Sequence, residues 1–178
     1  MYNEEMLTFL SLDNIMLHLS FLERLKLKYS ILEKSCETLA GKNCHELFKL
    51  RIPLEVKDEA VTLRSEIEAH ELYFSSFSKN ASVCKEIRAY YSSEEAFLYE
   101  VLVSAMNSKA DFLFVSPDHR GKPTVFTDVT YADICQKNTP CLAVDLCEHS
   151  YFLDYGFERE EYLRRAVGHL ALSKLIKT

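Results

Sequence analysis

Apolar residues in the first hundred positions recur at steps of three and four, which is the spacing of amphipathic helices. One such series comprises Leu10, Ile15, Leu17, Phe21, Leu22, Leu25 and Tyr29. A second series follows Pro53 and comprises Leu54, Val56, Ala60, Leu63, Ile67, Leu72 and Phe74. The two series predict two long helices, and the break at residues 41–43 (Gly-Lys-Asn) predicts that they form an antiparallel hairpin. Shorter helices are predicted near residues 81–91 and 93–107.

The pattern changes at residue 111 from helical spacing to short apolar runs. Two runs, 112–115 and 124–127, flank a turn and predict a β-hairpin, and a third run covers 141–146. A closing amphipathic helix is predicted from about Glu158 to Lys177. These elements predict an α+β fold with a long N-terminal α-helical hairpin (residues 1–80) and a C-terminal domain (residues 81–178). The second domain would contain a three-stranded antiparallel sheet with flanking helices.

The composition and charge of the chain limit the kinds of molecule that it is expected to bind. The 178 residues carry a net charge of −6 and no basic run longer than Arg164-Arg165, which argues against nucleic-acid and anionic-membrane binding. No apolar stretch approaches the ~18 residues of a membrane-spanning helix, and the N-terminal sequence lacks the cationic region of an export signal. We therefore expect a cytoplasmic protein. Its six cysteines, none in C-x-x-C spacing, are expected to be reduced packing residues.

The sharpest chemical feature is a carboxylate and an imidazole four residues apart, Asp145 and His149, where the third apolar run ends. A buried carboxylate requires a cation, a metal ion or several hydrogen-bond donors, because leaving it unpaired costs several kcal/mol. Taken alone, this spacing favours an Asp–His hydrogen bond that closes a turn. Motifs elsewhere in the chain favour a metal site over this hydrogen bond.

Residues 145–155 read D-L-C-E-H-S-Y-F-L-D-Y, which resembles the D-x-W-E-H-A-Y-Y-x-D-Y motif of the iron/manganese superoxide dismutase family. The segment S-L-D-N-I-M-L-H at residues 11–18 fits the family frame S-A-E-T-L-x-x-H, and A-H-E-L-Y-F at residues 69–74 fits N-H-x-x-Y-W. The resemblance implies one iron or manganese ion per chain, held by His18, His70, Asp145 and His149.

The resemblance also implies an activity, a substrate and a partner. Family members convert superoxide to dioxygen and hydrogen peroxide by cycling the metal between 3+ and 2+, so superoxide or another small anion is the expected substrate. Arg159 corresponds to the arginine that attracts this anion. Glu148 corresponds to the glutamate that crosses a two-fold interface to the partner's metal histidine, which implies a homodimer.

Several positions around the implied metal depart from the family. Where the family places a glutamine one turn before the second histidine, this chain has Glu66. This residue is a candidate catalytic residue, either as an anion that lowers the metal potential or protonated as an amide mimic, and a solvated helix residue is an equal alternative. The single glutamine, Gln136, lies too close to Asp145 to replace it from the sheet side. Leu22 and Lys26 occupy the positions of the family's channel histidine and tyrosine.

The family's tryptophan-rich wall is also altered. Its positions correspond to Phe74, Asp111, Cys147 and Val167, which predicts a smaller and partly polar wall. Phe152 replaces an interface tyrosine, and Tyr29 and Tyr131 are candidates to replace the missing proton relay. These departures leave three functions open: a dismutase, a metalloenzyme of a different reaction that uses Glu66 as an acid–base group or extra ligand, and a non-catalytic dimeric interaction protein that keeps the fold.

Overall fold

The computed structural model describes Tyr2, residues 4–78 and residues 85–175. Its helices are α1 (Leu12–Ser35), α2 (Cys44–Leu47), α3 (Leu54–Ser75), α4 (Lys85–Arg88), α5 (Glu94–Asn107), α6 (Tyr131–Cys135), α7 (Phe152–Tyr155) and α8 (Arg159–Gly168). Its strands are β1 (Phe112–Pro117), β2 (Pro123–Phe126) and β3 (Leu142–Asp145). The predicted α+β fold, with long N-terminal helices and a three-stranded antiparallel sheet, is confirmed.

The helical hairpin consists of α1 packed against α3. Helix α1 begins where the Ser11 hydroxyl accepts the Asn14 N–H at 3.2 Å, which is a standard N-cap arrangement. The helix ends at Ser35, six residues before the predicted break at Gly41, because Cys36 adopts an extended backbone conformation. A short 3-10 turn and α2 complete the connection, and α2 begins with a reciprocal capping box between Asn43 and Glu46.

The sheet places its most apolar strand in the middle. The strand order is β2-β1-β3 with both pairings antiparallel, and residues 112–116 of β1 are all buried. Burial on both faces explains why this strand reads as a continuous apolar run instead of an alternating one. In the register of β1 and β3, Phe112 lies opposite Asp145, and β3 packs against α3. Asp145 is thereby brought to the long helices.

The closing helix is shorter than predicted. Helix α8 ends at Gly168, and in the described residues beyond it, which end at Leu175, a 3-10 turn covers Leu172–Leu175. The predicted end of the helix at Lys177 lies outside the described residues. Glycine is a weak helix former, and the backbone beyond it bonds elsewhere. The Ala171 N–H donates to the Ser76 carbonyl at 2.8 Å, and Leu170 pairs with Phe77. The C-terminal segment is thereby joined to the end of α3.

The other predictions have separate outcomes. Of the helix predicted near 81–91, the structure shows α4, while residues 81–84 lie outside the described residues. One cluster of buried apolar residues runs through both halves of the chain, and the domain boundary at residue 80 stays a prediction. The five described cysteines are free thiols; Cys84 is outside the described residues. No described helix is long and apolar enough to span a bilayer.

Candidate metal centre

Four elements of the fold meet at the predicted ligands. His18 comes from α1, His70 from α3, Asp145 from the end of β3, and His149 from the 3-10 turn that follows this strand. Because α3 packs against both α1 and β3, the side chains converge between the hairpin and the sheet. His18, His70 and Asp145 are buried, whereas the His149 side chain is 28% exposed.

The four side chains point one atom each toward a common centre. Asp145 Oδ2 lies 3.1 Å from His18 Nε2, 3.2 Å from His149 Nε2 and 3.7 Å from His70 Nε2. One ligand atom from each of the four residues lies within 4.8 Å of every other. Two donors that are each about 2.1 Å from one ion, at about 100°, are about 3.2 Å apart. The spacing therefore suits a first-row transition-metal ion.

Unpaired buried atoms at this centre support the same conclusion. Within the described chain, both ring nitrogens of His18 and Asp145 Oδ2 are buried without a hydrogen bond of acceptable geometry, despite their proximity. An unsatisfied buried polar atom costs about 1–3 kcal/mol. An ion at the centre would satisfy His18 Nε2 and Asp145 Oδ2 at once. The residues present therefore fit a metal ion.

Contacts with the surrounding protein fix the tautomer of His70 and the orientation of the Asp145 carboxylate. His70 Nδ1 lies 2.6 Å from the backbone carbonyl of Glu66; because a carbonyl can only accept, this nitrogen carries the proton and Nε2 presents its lone pair to the centre. The Cys147 N–H donates to Asp145 Oδ1 at 2.8 Å. That bond leaves Oδ2 directed at the three imidazoles.

The pKa directions of Asp145 and His70 agree with a metal-binding set, in which the carboxylate is ionised and the imidazole is neutral. Burial lowers the pKa of His70 and outweighs the opposite influence of Asp145. Burial raises the pKa of Asp145, but polar contacts with His149 and His18 and their charges hold that pKa below its usual range. For His149, burial lowers the pKa, yet contact with Asp145 raises it above its usual value. A carboxylate with three imidazoles and no thiolate suits iron or manganese better than a structural zinc site.

The comparison with known families addresses residues 79–175, which match the family description "Iron/manganese superoxide dismutases, C-terminal domain". This range covers more than half of the chain and contains Asp145 and His149. The chain belongs to the iron/manganese superoxide dismutase family. No curated protein sequence matches it. His18 and His70 lie outside the matched range, so their place beside the other two residues comes from the structure.

In this superoxide dismutase-family chain, aromatic rings surround the four imidazole and carboxylate groups. Phe74 lies 4.8 Å from the His18 ring, Phe112 lies 5.0 Å from His70, and Phe21 stacks on His149 at 4.6 Å. Phe74 was expected beside the site from the sequence, whereas the positions of Phe21 and Phe112 beside it were not. Phe21 is three residues past His18, so its position on the same helix face was available from the sequence. Phe112 required the register of β1 with β3.

Two buried tyrosines, Tyr73 and Tyr162, form hydrogen-bond contacts that hold the backbone of Asp145 in place. The Tyr162 hydroxyl donates to the Asp145 carbonyl at 2.9 Å and lies 3.2 Å from the Tyr73 hydroxyl. Burial raises the pKa of both tyrosines well above 10, which keeps both hydroxyls protonated. Asn14 adds a link from α1 to the turn that carries His149, because its amide donates to the Ser150 carbonyl. Sequence reasoning missed these contacts, which depend on tertiary structure.

The two predicted catalytic residues lie at the edge of the site. Glu66 is an exposed residue, but its carboxyl group is partly buried, and this partial burial, followed by the charge of Asp111, raises the pKa of the carboxyl group. Arg159 donates to the carbonyls of Ala105, Ser108 and Met106 at 3.2–3.4 Å. It therefore caps the C-terminus of α5.

Arg159 also lines an opening of about 520 Å³ that is shared with Glu148 and His149. Glu148 is exposed there, directly before His149 in the chain. Its proposed contact with a partner therefore stays a prediction. The opening brings the predicted anion-attracting residue and the predicted interface residue to the same side as the exposed edge of His149.

Four further residues that the comparison of motifs singled out, Lys26, Gln136, Tyr29 and Tyr131, make their contacts away from the four-residue centre. Lys26 forms an ion pair with Glu71 at 3.1 Å, and the Gln136 side chain donates to the Ala132 carbonyl. The Tyr29 hydroxyl donates to the Leu39 carbonyl, and Tyr131 contacts Phe114. Among the described contacts, neither tyrosine reaches the four-residue centre. The suggestion that Tyr29 or Tyr131 replaces the relay is therefore unsupported.

Proposed function

We propose that this protein is a mononuclear iron or manganese metalloprotein that converts superoxide to dioxygen and hydrogen peroxide. The observation that supports this proposal most directly is the buried convergence of four ligand atoms within 4.8 Å, in a chain of the superoxide dismutase family. His18, His70, Asp145 and His149 would hold one ion per chain.

When bound, the ion supplies one-electron chemistry by alternating between its 3+ and 2+ states. The residues set its charge and shape its surroundings. Asp145 contributes one negative charge and the histidines contribute neutral imidazoles, as the Nδ1–H bond of His70 to the Glu66 carbonyl illustrates. Phe74 packs against buried His18 and Phe112 against buried His70, and keeping water from these two rings would strengthen electrostatic interactions inside the site.

Formation of hydrogen peroxide requires protons, and we assign their handling to Glu66. Its carboxyl group has a raised pKa because of burial and the nearby charge of Asp111. A carboxyl group that keeps its proton closer to neutral pH is a better proton donor under working conditions. His149 and Glu66 influence each other's pKa, so the proton would be held next to the exposed edge of the site.

The proposal assigns Arg159 to attraction of the substrate anion and Glu148 to a homodimer interface. The three carbonyl contacts of Arg159 fix its guanidinium at the opening beside His149, where its charge would attract a small anion. Glu148 is exposed next to the same opening. We assign it to a homodimer interface, in which its carboxylate would contact the partner's His149.

The direct test is superoxide consumption by protein loaded with manganese or with iron. Substitution His149→Ala is expected to lower activity at least about 100-fold, because it removes a ligand (second-sphere losses alone reach about 10–100-fold). The matched control is His119→Ala, since His119 is exposed in the β1–β2 turn. Activity that survives in His149→Ala would contradict the proposal.

A second candidate function is a different metal-dependent reaction. The observation that favours it is the acidic edge of the site, where Asp111 lines the opening beside His149 and its charge raises the pKa of Glu66. Carboxylates at this edge repel superoxide and can serve as acid–base groups. Stoichiometric metal with negligible superoxide consumption, lost metal in His149→Ala and unchanged metal in His119→Ala would favour this candidate over dismutation.

A further inference from the structure

A cavity of about 440 Å³ lies beside the metal centre, between α3, β1 and the loop that leads into α6. None of the four candidate metal ligands lines it. The buried part of its wall is apolar and consists of Val61, Ala69, Phe112, Phe114 and Ala132. The volume lies in the range of about 300–1,000 Å³ that is typical of small-molecule sites.

The rim of this cavity is strongly acidic. It carries four carboxylates and one ammonium group, namely Glu66, Asp111, Asp128, Asp133 and Lys109, all on exposed residues. Asp133 is engaged, because it accepts hydrogen bonds from the backbone and hydroxyl of Thr130. Among the described residues, the carboxylates of Glu66 and Asp128 have no hydrogen-bond or ion-pair partner. The rim therefore presents uncompensated negative charge.

The buried apolar part of the wall is the floor of the cavity, and aromatic rings line the floor and the side that leads up to the rim. Tyr131 contacts Phe114 edge-to-face at 5.9 Å, and Phe114 stacks on Phe112 at the same centroid distance. Aromatic faces attract cations and also accept flat apolar groups. The buried hydroxyl of Ser65 is already bonded to the Ala132 N–H at 2.9 Å. The polar groups of the cavity that could still bind a ligand are therefore mainly the carboxylates of the rim.

We propose that this cavity binds a small organic cation with a flat apolar body, of the arylalkyl-ammonium class. The aromatic body would lie against Tyr131 and the accessible edge of Phe112, with the fully buried Phe114 behind them, and the ammonium group would lie at the rim between Glu66 and Asp111. An inorganic cation would leave the apolar floor unused, and an anion would face repulsion from the rim. Charge complementarity and shape therefore select the same class of ligand.

This binding site goes beyond the proposed dismutation. The two proposals share Glu66, but cation binding in the cavity does not require a metal ion at the four-residue centre. Phe112, which forms part of the floor, is 5.0 Å from the His70 ring, so the occupant would lie one side chain away from the metal centre. Loss of His149 should abolish metal-dependent activity without changing cation binding. The two proposals can consequently fail separately.

The test is calorimetric titration of the purified protein with 2-phenylethylammonium, with 3-phenylpropionate as the anionic control of similar shape. We expect saturable binding of one ammonium per chain, at least tenfold tighter than the anion. Backbone amide shifts in a ¹H–¹⁵N spectrum should be centred on residues 130–132. Equal binding of the two probes, absence of ammonium binding, or shifts centred elsewhere would overturn the proposal.

Charge variants sharpen the test. The double substitution Glu66→Gln with Asp111→Asn is expected to weaken ammonium binding at least tenfold. The matched control is Asp58→Asn with Glu59→Gln, two exposed α3 residues outside the cavity, which changes the net charge equally and should alter affinity less than twofold. Equal effects of the two double variants would overturn the proposal.

A single variant keeps the test valid if the first double variant fails to fold. Asp128 has a backbone φ of +59°, a conformation that asparagine also tolerates, so Asp128→Asn preserves the loop while removing a rim charge. Ammonium affinity should fall about threefold, and unchanged affinity in this variant would count against the acidic rim as the recognition element.

Discussion

The candidate metal centre has a buried part and a solvent-exposed part, named its floor and its rim and distinct from those of the neighbouring cavity, and the two parts tolerate substitution differently. The floor comprises buried residues that constrain one another, namely His18, His70, Asp145, Tyr73 and Tyr162. The rim comprises residues that contact solvent, namely Lys26, Glu66, Asp111, Glu148 and Arg159. Removing one partner on the floor leaves a buried polar group unsatisfied, at about 1–3 kcal/mol. A surface substitution usually changes stability by less than about 0.5 kcal/mol. The rim can therefore change chemistry while the fold persists.

The largest expected effect is at a floor ligand. Substitution Asp145→Asn keeps the side-chain shape but removes the negative charge that faces three imidazoles. Affinity for Mn²⁺ should fall at least about 100-fold, since even outer-sphere changes cost about 10–100-fold. Competition with a metal-sensitive dye would measure it. The control is Asp13→Asn, an exposed residue of α1, and equal affinities of the two variants would break the distinction between floor and rim.

The next effect is on the support beneath that ligand. Substitution Tyr162→Phe removes the hydroxyl that donates to the Asp145 carbonyl and meets Tyr73. The free energy of unfolding should drop by about 1–3 kcal/mol, because both groups lose a buried partner. Urea denaturation would measure the drop against Tyr99→Phe, whose parent side chain is 68% exposed. Similar stabilities of the two variants would show that the tyrosine pair is not structurally important.

A smaller, pH-dependent effect is expected at Glu66. Burial and Asp111 raise the pKa of its carboxyl group in the folded state, so the folded chain retains this proton to a higher pH than the unfolded chain, whose value is about 4.3. Its contribution to stability is therefore present at low pH and is lost as the pH rises through the folded pKa. Glu66→Gln cannot ionise.

This variant should be more stable than the wild type above about pH 5, by less than about 1 kcal/mol for an exposed group, and should show no such gain at pH 3. Denaturation curves at the two pH values, with Glu59→Gln as the control on the same helix, would measure the difference. A gain of equal size at both pH values would contradict the assigned electrostatic cause.

The smallest effect is expected at an exposed ion pair of the rim. Lys26 lies 3.1 Å from Glu71 and joins α1 to α3, but the two side chains are 40% and 44% exposed. Lys26→Ala should lower the free energy of unfolding by less than about 0.5 kcal/mol, since exposed pairs contribute little. A loss above about 1 kcal/mol in urea denaturation would show that Lys26 contributes as much to stability as a buried polar residue does, which would contradict its assignment to the rim.

The sequence was most informative where one local pattern was sufficient. Three- and four-residue spacing predicted α1 and α3, and the apolar runs predicted the three strands, because both periodicities report burial directly. The resemblance to a family brought His18 and His70 together with the residues at the end of β3. Helical spacing also places Phe21 on the same face of α1 as His18, three residues earlier in the chain.

Tertiary contacts account for what sequence reasoning missed. The early end of α8 at Gly168 depends on backbone pairing of the following residues with Ser76 and Phe77. Phe112 reaches His70 only through the β1–β3 register. Nor does local pattern indicate that Arg159 caps α5, because its three acceptors lie more than fifty residues earlier in the chain.

The most direct test of the central claim is the metal content of protein purified without added metal. Wild-type protein and His119→Ala should each contain close to one iron or manganese per chain, and His149→Ala should contain less than about a tenth of that amount, since one of the four converging ligands is lost. Equal metal content in all three proteins, or none in the wild type, would contradict the assignment of His18, His70, Asp145 and His149 as a metal centre.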